Sequence, residues 1–191
     1  LKDNGYYTFG TGKWHNGPKA YTRSFTTGAN AFFGGMWDHY NVPLCDYDPL
    51  GNYDNVINFV SNFFESNKSI QINCDHFIPG KHSSEIVADT TIDFIKNYDK
   101  EEPFFCYSAF LAPHDPRIMP SFYKELYKDK KITLPINCME KYPVAYDGTG
   151  MRDEDLTSYP RKEEDTIKEL TDYYAMITHL DAQIGRIIQI L

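Results

Sequence analysis

The sequence predicts an α/β fold built on a parallel sheet. Three segments carry that prediction: a glycine-punctuated strand at residues 6–12, a helical pattern over residues 84–99, and a short apolar run at residues 103–110. A helix followed at once by a buried strand is half of a βαβ unit, and the strands of such a unit run parallel.

Taken in order, YYTFGTG at residues 6–12 alternates toward a strand and ends in a glycine-rich loop, which continues as Lys13-Trp14-His15-Asn16-Gly17. Residues 16–52 and 113–160 are rich in Gly, Pro, Asn, Asp and Tyr, a composition that favours turns over regular structure. Loops of that length in a compact domain are usually functional or packed over a site. The helix over 84–99 takes Ser83 or Ser84 as its N-cap and places Ile86, Val87, Ala88, Ile92 and Ile95 on one face. Residues 103–110 are too short for a helix and rich in aromatics, which fits a strand buried on both faces. From residue 163 to 191, apolar side chains at Ile167, Leu170, Tyr174, Ile177, Leu180, Ile184, Ile187, Ile188 and Leu191 recur at three and four, predicting one long amphipathic helix with that stripe inward.

Composition excludes several function classes. The chain has 191 residues, 41% hydrophobic and 24% charged, which argues against global disorder. Its net charge is −8, and the only dense basic stretch is 128–131, so no positive footprint for nucleic acid is present. No apolar stretch approaches the roughly 20 residues of a membrane span. The opening LKDNGYYTF has neither a basic head nor an apolar core of a cleavable signal. A start at Leu1 and a helical pattern still running at Leu191 lead to the expectation of a segment excised from a larger domain. Cys45, Cys74, Cys106 and Cys138 are widely spaced with no C-x-x-C pair, which disfavours a zinc ribbon and leaves two disulfides open. Cys106, inside the apolar run, reads as a buried free thiol.

Candidate chemistry gathers at two places. Lys13 and His15 lie i, i+2 at a strand end, where both can point to one side while Trp14 points back into the body. A cation and an imidazole converging there suit an oxygen-rich anion; a surface loop with a solvated lysine is the competing reading. His114 stands between Pro113 and Pro116 just after the apolar run, the carboxyl end of a strand being where open α/β sheets place ligands. Asp115 and Arg117 are candidates to orient that imidazole or to bind a polar substrate; the competing reading is an exposed Pro-rich turn. His82 reads as a loop residue at a helix start and His179 as part of the last helix, where Asp181 is placed to cap or tether a loop. His39 and His76 have no assigned place. Asp46 and Asp48 invite a calcium reading, yet they lack the glycine, spacing and closing Glu of an EF-hand and read as a turn.

Four stretches in order, LKDNGYYTFGTGKWHNG, HSSEIVADTTIDFI, PFFCYSAFLAPHDPR and YYAMITHLDAQIGRI, resemble the sulfatase family, the arylsulfatase-like branch of the alkaline phosphatase superfamily. The resemblance implies an α/β/α sandwich with a mainly parallel central sheet and long loops over its carboxyl-end face, residues 1–191 forming the central part of one catalytic domain. It implies hydrolysis of a sulfate ester, with a sulfated carbohydrate as the substrate class, Lys13 and His15 serving the sulfated nucleophile, and His114 assisting the leaving oxygen. It also implies a formylglycine nucleophile outside this stretch and a divalent cation, usually calcium, with ligands mostly outside it. No cysteine here sits in the C/S-x-P/A-x-R pattern that formylglycine needs, so the 191 residues alone are expected to be inactive and marginally stable. Hydrolysis of phosphodiesters or phosphonate esters on the same scaffold is the alternative enzyme reading, and a degenerate, non-catalytic family member the alternative outside enzymes. Export or lysosomal targeting follows from the resemblance alone.

Overall fold

A computed structural model describes residues 1–60, 69–141, 157 and 159–191. After a 3-10 turn at Lys2–Asn4, strand β1 (Tyr7–Lys13) leads into helix α1 (Pro18–Ser24) and strand β2 (Thr27–Phe32). An antiparallel ribbon follows, β3 (Val56–Val60) with β4 (Ser69–Asn73). Helix α2 (Ser83–Asn97) then feeds β5 (Phe104–Ala109), before the short α3 (Ser121–Glu125) and the long α4 (Glu163–Ile188). The main sheet has the order β2-β1-β5, with both pairings parallel, as the half βαβ unit predicts.

Strand β1 occupies the centre, and its alternation assigns the layers. Phe9 stacks on Phe94 of α2 with ring centroids 4.2 Å apart, so α2 covers that face. Gly10 points the other way, where an added Cβ would collide with Tyr21 and Phe25 beside α1. The Tyr21 hydroxyl donates to the Gly10 carbonyl, tying α1 to the strand. Helices therefore lie on both faces, and α4 adds an outer layer by packing on α2 and α3.

Several expectations need correction. The stretch 16–52 is not all irregular: it holds α1 and β2. Strand β2 reads TGANAF, weak in strand formers, because it is packed too closely for larger side chains; a Cβ on Gly28 would overlap the Tyr21 hydroxyl and the Gly10 carbonyl oxygen. Helix α2 starts one residue earlier than expected, and its N-cap is His82, whose Nδ1 accepts from the Ser84 N–H at 3.1 Å. Strand β5 is not buried on both faces, since Phe105 and Tyr107 on one of them remain 38% and 41% exposed.

The largest correction concerns α4. Its buried residues are Asp172, Ala175, Met176, His179 and Gln183, while Tyr174, Ile184 and Ile188 of the expected stripe are exposed. Ala175 and Met176 pack with Ala112 and Met119, and the buried Asp172 is paired with Lys124 of α3 and Lys168. The helix thus turns inward the face whose small and polar groups find partners, and the apolar periodicity alone pointed elsewhere. All four cysteines are free, with Cys45 and Cys74 buried and Cys106 only partly so.

Candidate active site

The residues singled out at the two places come from neighbouring strands. Gly12 of β1 pairs in register with Ala109 of β5, so Lys13 lies one residue and His114 five residues beyond the same rung. Both therefore sit at the carboxyl ends of adjacent parallel strands, where an open α/β sheet leaves a crevice. The connections to the strands flanking β1 run along opposite faces of the sheet, α1 toward β2 and α2 toward β5.

A bulge sets the end of β1. The register against β2 shifts between Thr11 and Gly12, and Gly12 takes φ +84°. Beyond it, Trp14 turns back into the body as expected: it stacks edge-on with Tyr21, Phe25 and Tyr107 at 5.4 to 5.8 Å, and its indole N–H donates to the Gly17 carbonyl. Lys13 is half-buried and His15 exposed, with the His15 ring alongside Gly35. Among the described residues neither Lys13 nor His15 is engaged in an ion pair, which leaves the polar atoms of both side chains open to an incoming anion.

His114 is held from several directions. Its Nδ1 lies 3.1 Å from the Asp115 carboxylate and 3.1 Å from the Asp115 carbonyl oxygen, two acceptors that keep the ring proton on Nδ1. Nε2 is then the nitrogen left for a reacting group, and Asp115 is the residue that orients it. The loop is anchored on one side by Leu111, in the core with Phe32, Val42, Leu44 and Ile86, and on the other by Ala112 and Met119 against α4. Arg117 bonds the Glu169 carboxylate at 2.8 Å and stacks its guanidinium on Tyr173. The Ala112–Pro113 and Asp115–Pro116 peptide bonds are cis.

Two further residues touch this loop that the sequence left unplaced or read as a helix start. His39 Nε2 bonds the His114 carbonyl oxygen at 3.1 Å, and His82 Nε2 the Ile118 carbonyl oxygen at 2.9 Å. Burial pushes both imidazoles below the ordinary range, His82 to about 3 with the rings of His39 and His179 adding to the effect. The only legible signal was for His82, a histidine beside a helix start; His39 carried none.

Asp48 behaves as the turn reading requires: its carboxylate accepts from the Leu50 and Asn52 N–H groups, which hold it below the usual carboxylate range. Among the described residues no group of three His, Cys, Asp or Glu side chains could hold a metal ion. Arg152, an arginine that by residue type could pair with an anion as Arg117 could, lies outside the described residues. Among those residues, no helix is long and apolar enough to cross a membrane.

The Sulfatase family model matches residues 1–191, the entire chain. The chain belongs to the sulfatase family. Its similarity to an arylsulfatase of Klebsiella aerogenes is 31% identity over the whole chain, which covers 42% of that relative. An arylsulfatase of Clostridium perfringens is 30% identical over 55% of the chain and 22% of its own length. This sulfatase chain thus spans about two-fifths or less of these relatives. Among solved structures, BT4656 in complex with its substrate D-glucosamine-2-N,6-O-disulfate aligns over the whole chain and 45% of its own, with TM-score 0.60 and 17% identity. Ps i-CgsB in complex with k-i-k-neocarrahexaose aligns over the whole chain and 34% of its own, with TM-score 0.57 and 18% identity. The sulfatase chain has the alkaline-phosphatase-like α/β fold of these neighbours.

Proposed function

We propose that this chain supplies the Lys13, His15 and His114 part of a sulfuric ester hydrolase site acting on a sulfated carbohydrate. The observation that carries the reading is the placement of these three residues just past the carboxyl ends of two adjacent parallel strands, in a chain whose full length matches the family. Lys13 neutralises charge on the sulfate oxygens, a task for a donor aimed where charge develops. His15 holds a proton at the hydroxyl of the nucleophile. His114, with Nδ1–H donating to Asp115, acts in its imidazolium form, and its Nε2–H passes to the leaving oxygen as general acid. Arg117, engaged with Glu169, acts on substrate only through the loop it fastens.

The carbohydrate class rests on two supports: the aromatic-rich composition of the stretches 16–52 and 113–160, and the sulfated sugar named as the substrate of BT4656. A formylglycine nucleophile and a calcium ion belong to the same proposal, with their residues outside the described ones. Consistent with that, the 191 residues by themselves are proposed to be inactive.

The test uses the full-length protein that carries this chain and a chromogenic aryl sulfate. Lys13→Ala, His15→Ala and His114→Ala should each lower kcat/KM by about 10²–10⁴-fold, the range for a positioned proton donor or charge stabiliser. Faster turnover of a phosphate diester than of the sulfate ester by the unaltered protein would overturn the reading.

A further inference from the structure

His39, His82 and His179 are buried, at 1%, 0% and 0% exposure, and form a column outside the groups assigned to the reaction. The His39 and His82 rings lie 4.9 Å apart and only 4° from parallel, and His179 of α4 meets His82 edge-on at 4.5 Å. A carbonyl oxygen only accepts, so the Nε2 atoms facing His114 O and Ile118 O must both carry hydrogen. In a neutral ring Nδ1 is then an acceptor. His39 Nδ1 meets the Ser83 hydroxyl at 2.7 Å and His82 Nδ1 the Ser84 N–H at 3.1 Å. Both rings are therefore set in one tautomer by the first turn of α2, and both grip the loop that carries His114, four residues apart.

We propose that His39 and His82 are positioning residues for His114, a buried imidazole pair that fixes its loop to the amino end of α2. The proposal rests on the reading of His114 as part of the hydrolase site. Their burial excludes contact with substrate, so they act through the loop alone. A plain aromatic spacer would fill the same volume, and the two hydrogen bonds to loop carbonyls are what distinguish the positioning role. The main chain of His39 is separately tied, its carbonyl accepting from the Ser83 N–H at 2.7 Å, so the side chain can be changed with its backbone anchored.

The experiment compares His39→Phe with His39→Gln in the full-length protein. Phenylalanine keeps a ring and loses both bonds; glutamine restores an amide donor toward the His114 carbonyl. We expect His39→Phe to lower kcat about 10–100-fold, as for groups supporting a reacting residue, with KM changed less than about threefold, and His39→Gln to recover most of kcat. Unchanged kcat in His39→Phe, or an equal loss in both variants, overturns the proposal. Should His39→Phe fail to fold, Ser83→Ala, which removes the hydroxyl that donates to His39 Nδ1, takes its place with the same readout. Nitrogen-edited NMR of the imidazoles gives a readout independent of turnover: hydrogen on Nε2 of His39 and His82, and displaced His114 ring signals in the variant. If the unaltered protein hydrolyses no sulfate ester, the functional reading fails by itself. The His114 signals then decide the positioning role, and signals that stay in place overturn it.

Discussion

Gly12 lies so close to Ala109 that a Cβ on Gly12 would overlap the Ala109 carbonyl oxygen. The contact joins the end of β1 to the end of β5, one residue before Lys13. It also coincides with a left-handed backbone at φ +84°, which a residue with a side chain adopts at a cost of about 1–2 kcal/mol.

Gly12→Ala should therefore destabilise the fold by more than that conformational cost, because the strands must separate as well. Gly5 is the control: it has φ +79° and nothing within 4 Å of an added Cβ, so Gly5→Ala should cost only about 1–2 kcal/mol. Urea midpoints of the two variants check this; equal losses would show that the strand contact relaxes freely.

Arg117 and Glu169 are each 22% exposed and 2.8 Å apart. Arg117→Met should lower stability by about 1.5–3 kcal/mol, the range for a hydrogen bond to a charged group, and should raise the rate of proteolysis in the 113–118 loop. A variant as stable and as protected as the parent would place the loop's anchorage elsewhere.

The buried imidazoles predict an acid limb of stability. Folding lowers their pKa values, so below the ordinary value of about 6.5 the unfolded chain binds more protons than the fold. Their stabilising contribution is full above that pH and is lost as pH falls toward about 3, where His82 also protonates in the fold. The slope between pH 6.5 and 5, ahead of most carboxylates, should reach up to about 1.4 kcal/mol per pH unit for each ring. His179, with Glu85 at 3.6 Å and neither ring nitrogen hydrogen-bonded among the described residues, is the simplest to remove. His179→Phe should flatten the slope in urea melts; an unchanged slope would assign the acid sensitivity to other groups.

Burial pushes the Cys45 thiol up to about 12, with the Asp75 carboxylate adding to the shift, and raises Cys74 as well. The native protein should react with a thiol reagent at Cys45 and Cys74 only at the rate of unfolding, because the thiolate is the reactive form. Peptide mapping after timed labelling tests this, and rapid native labelling at either site would contradict it.

Local signals read well from the sequence. Residues 6–12 and 103–110 announced β1 and β5, the turn of Trp14 into the body followed from alternation, and the parallel sheet followed from helix feeding strand. Those inferences depend on neighbours a few residues apart, which side-chain periodicity records directly. Strand β2 was hidden because tight packing against Tyr21 selects Gly and Ala, residues whose local preference points away from strands. The inward face of α4 was hidden for a related reason: Asp172 and His179 are buried by partners supplied from α3 and α2, and no hydrophobic pattern can report them. By itself the sequence determined the family, the sheet's direction and the residue types at the two strand ends. Only the tertiary structure decided that Arg117 is spent on Glu169 and that His39 and His82 hold the loop of His114. Those contacts join residues 36 to 75 positions apart, and pairing over such separations is set by how the layers pack rather than by any local preference.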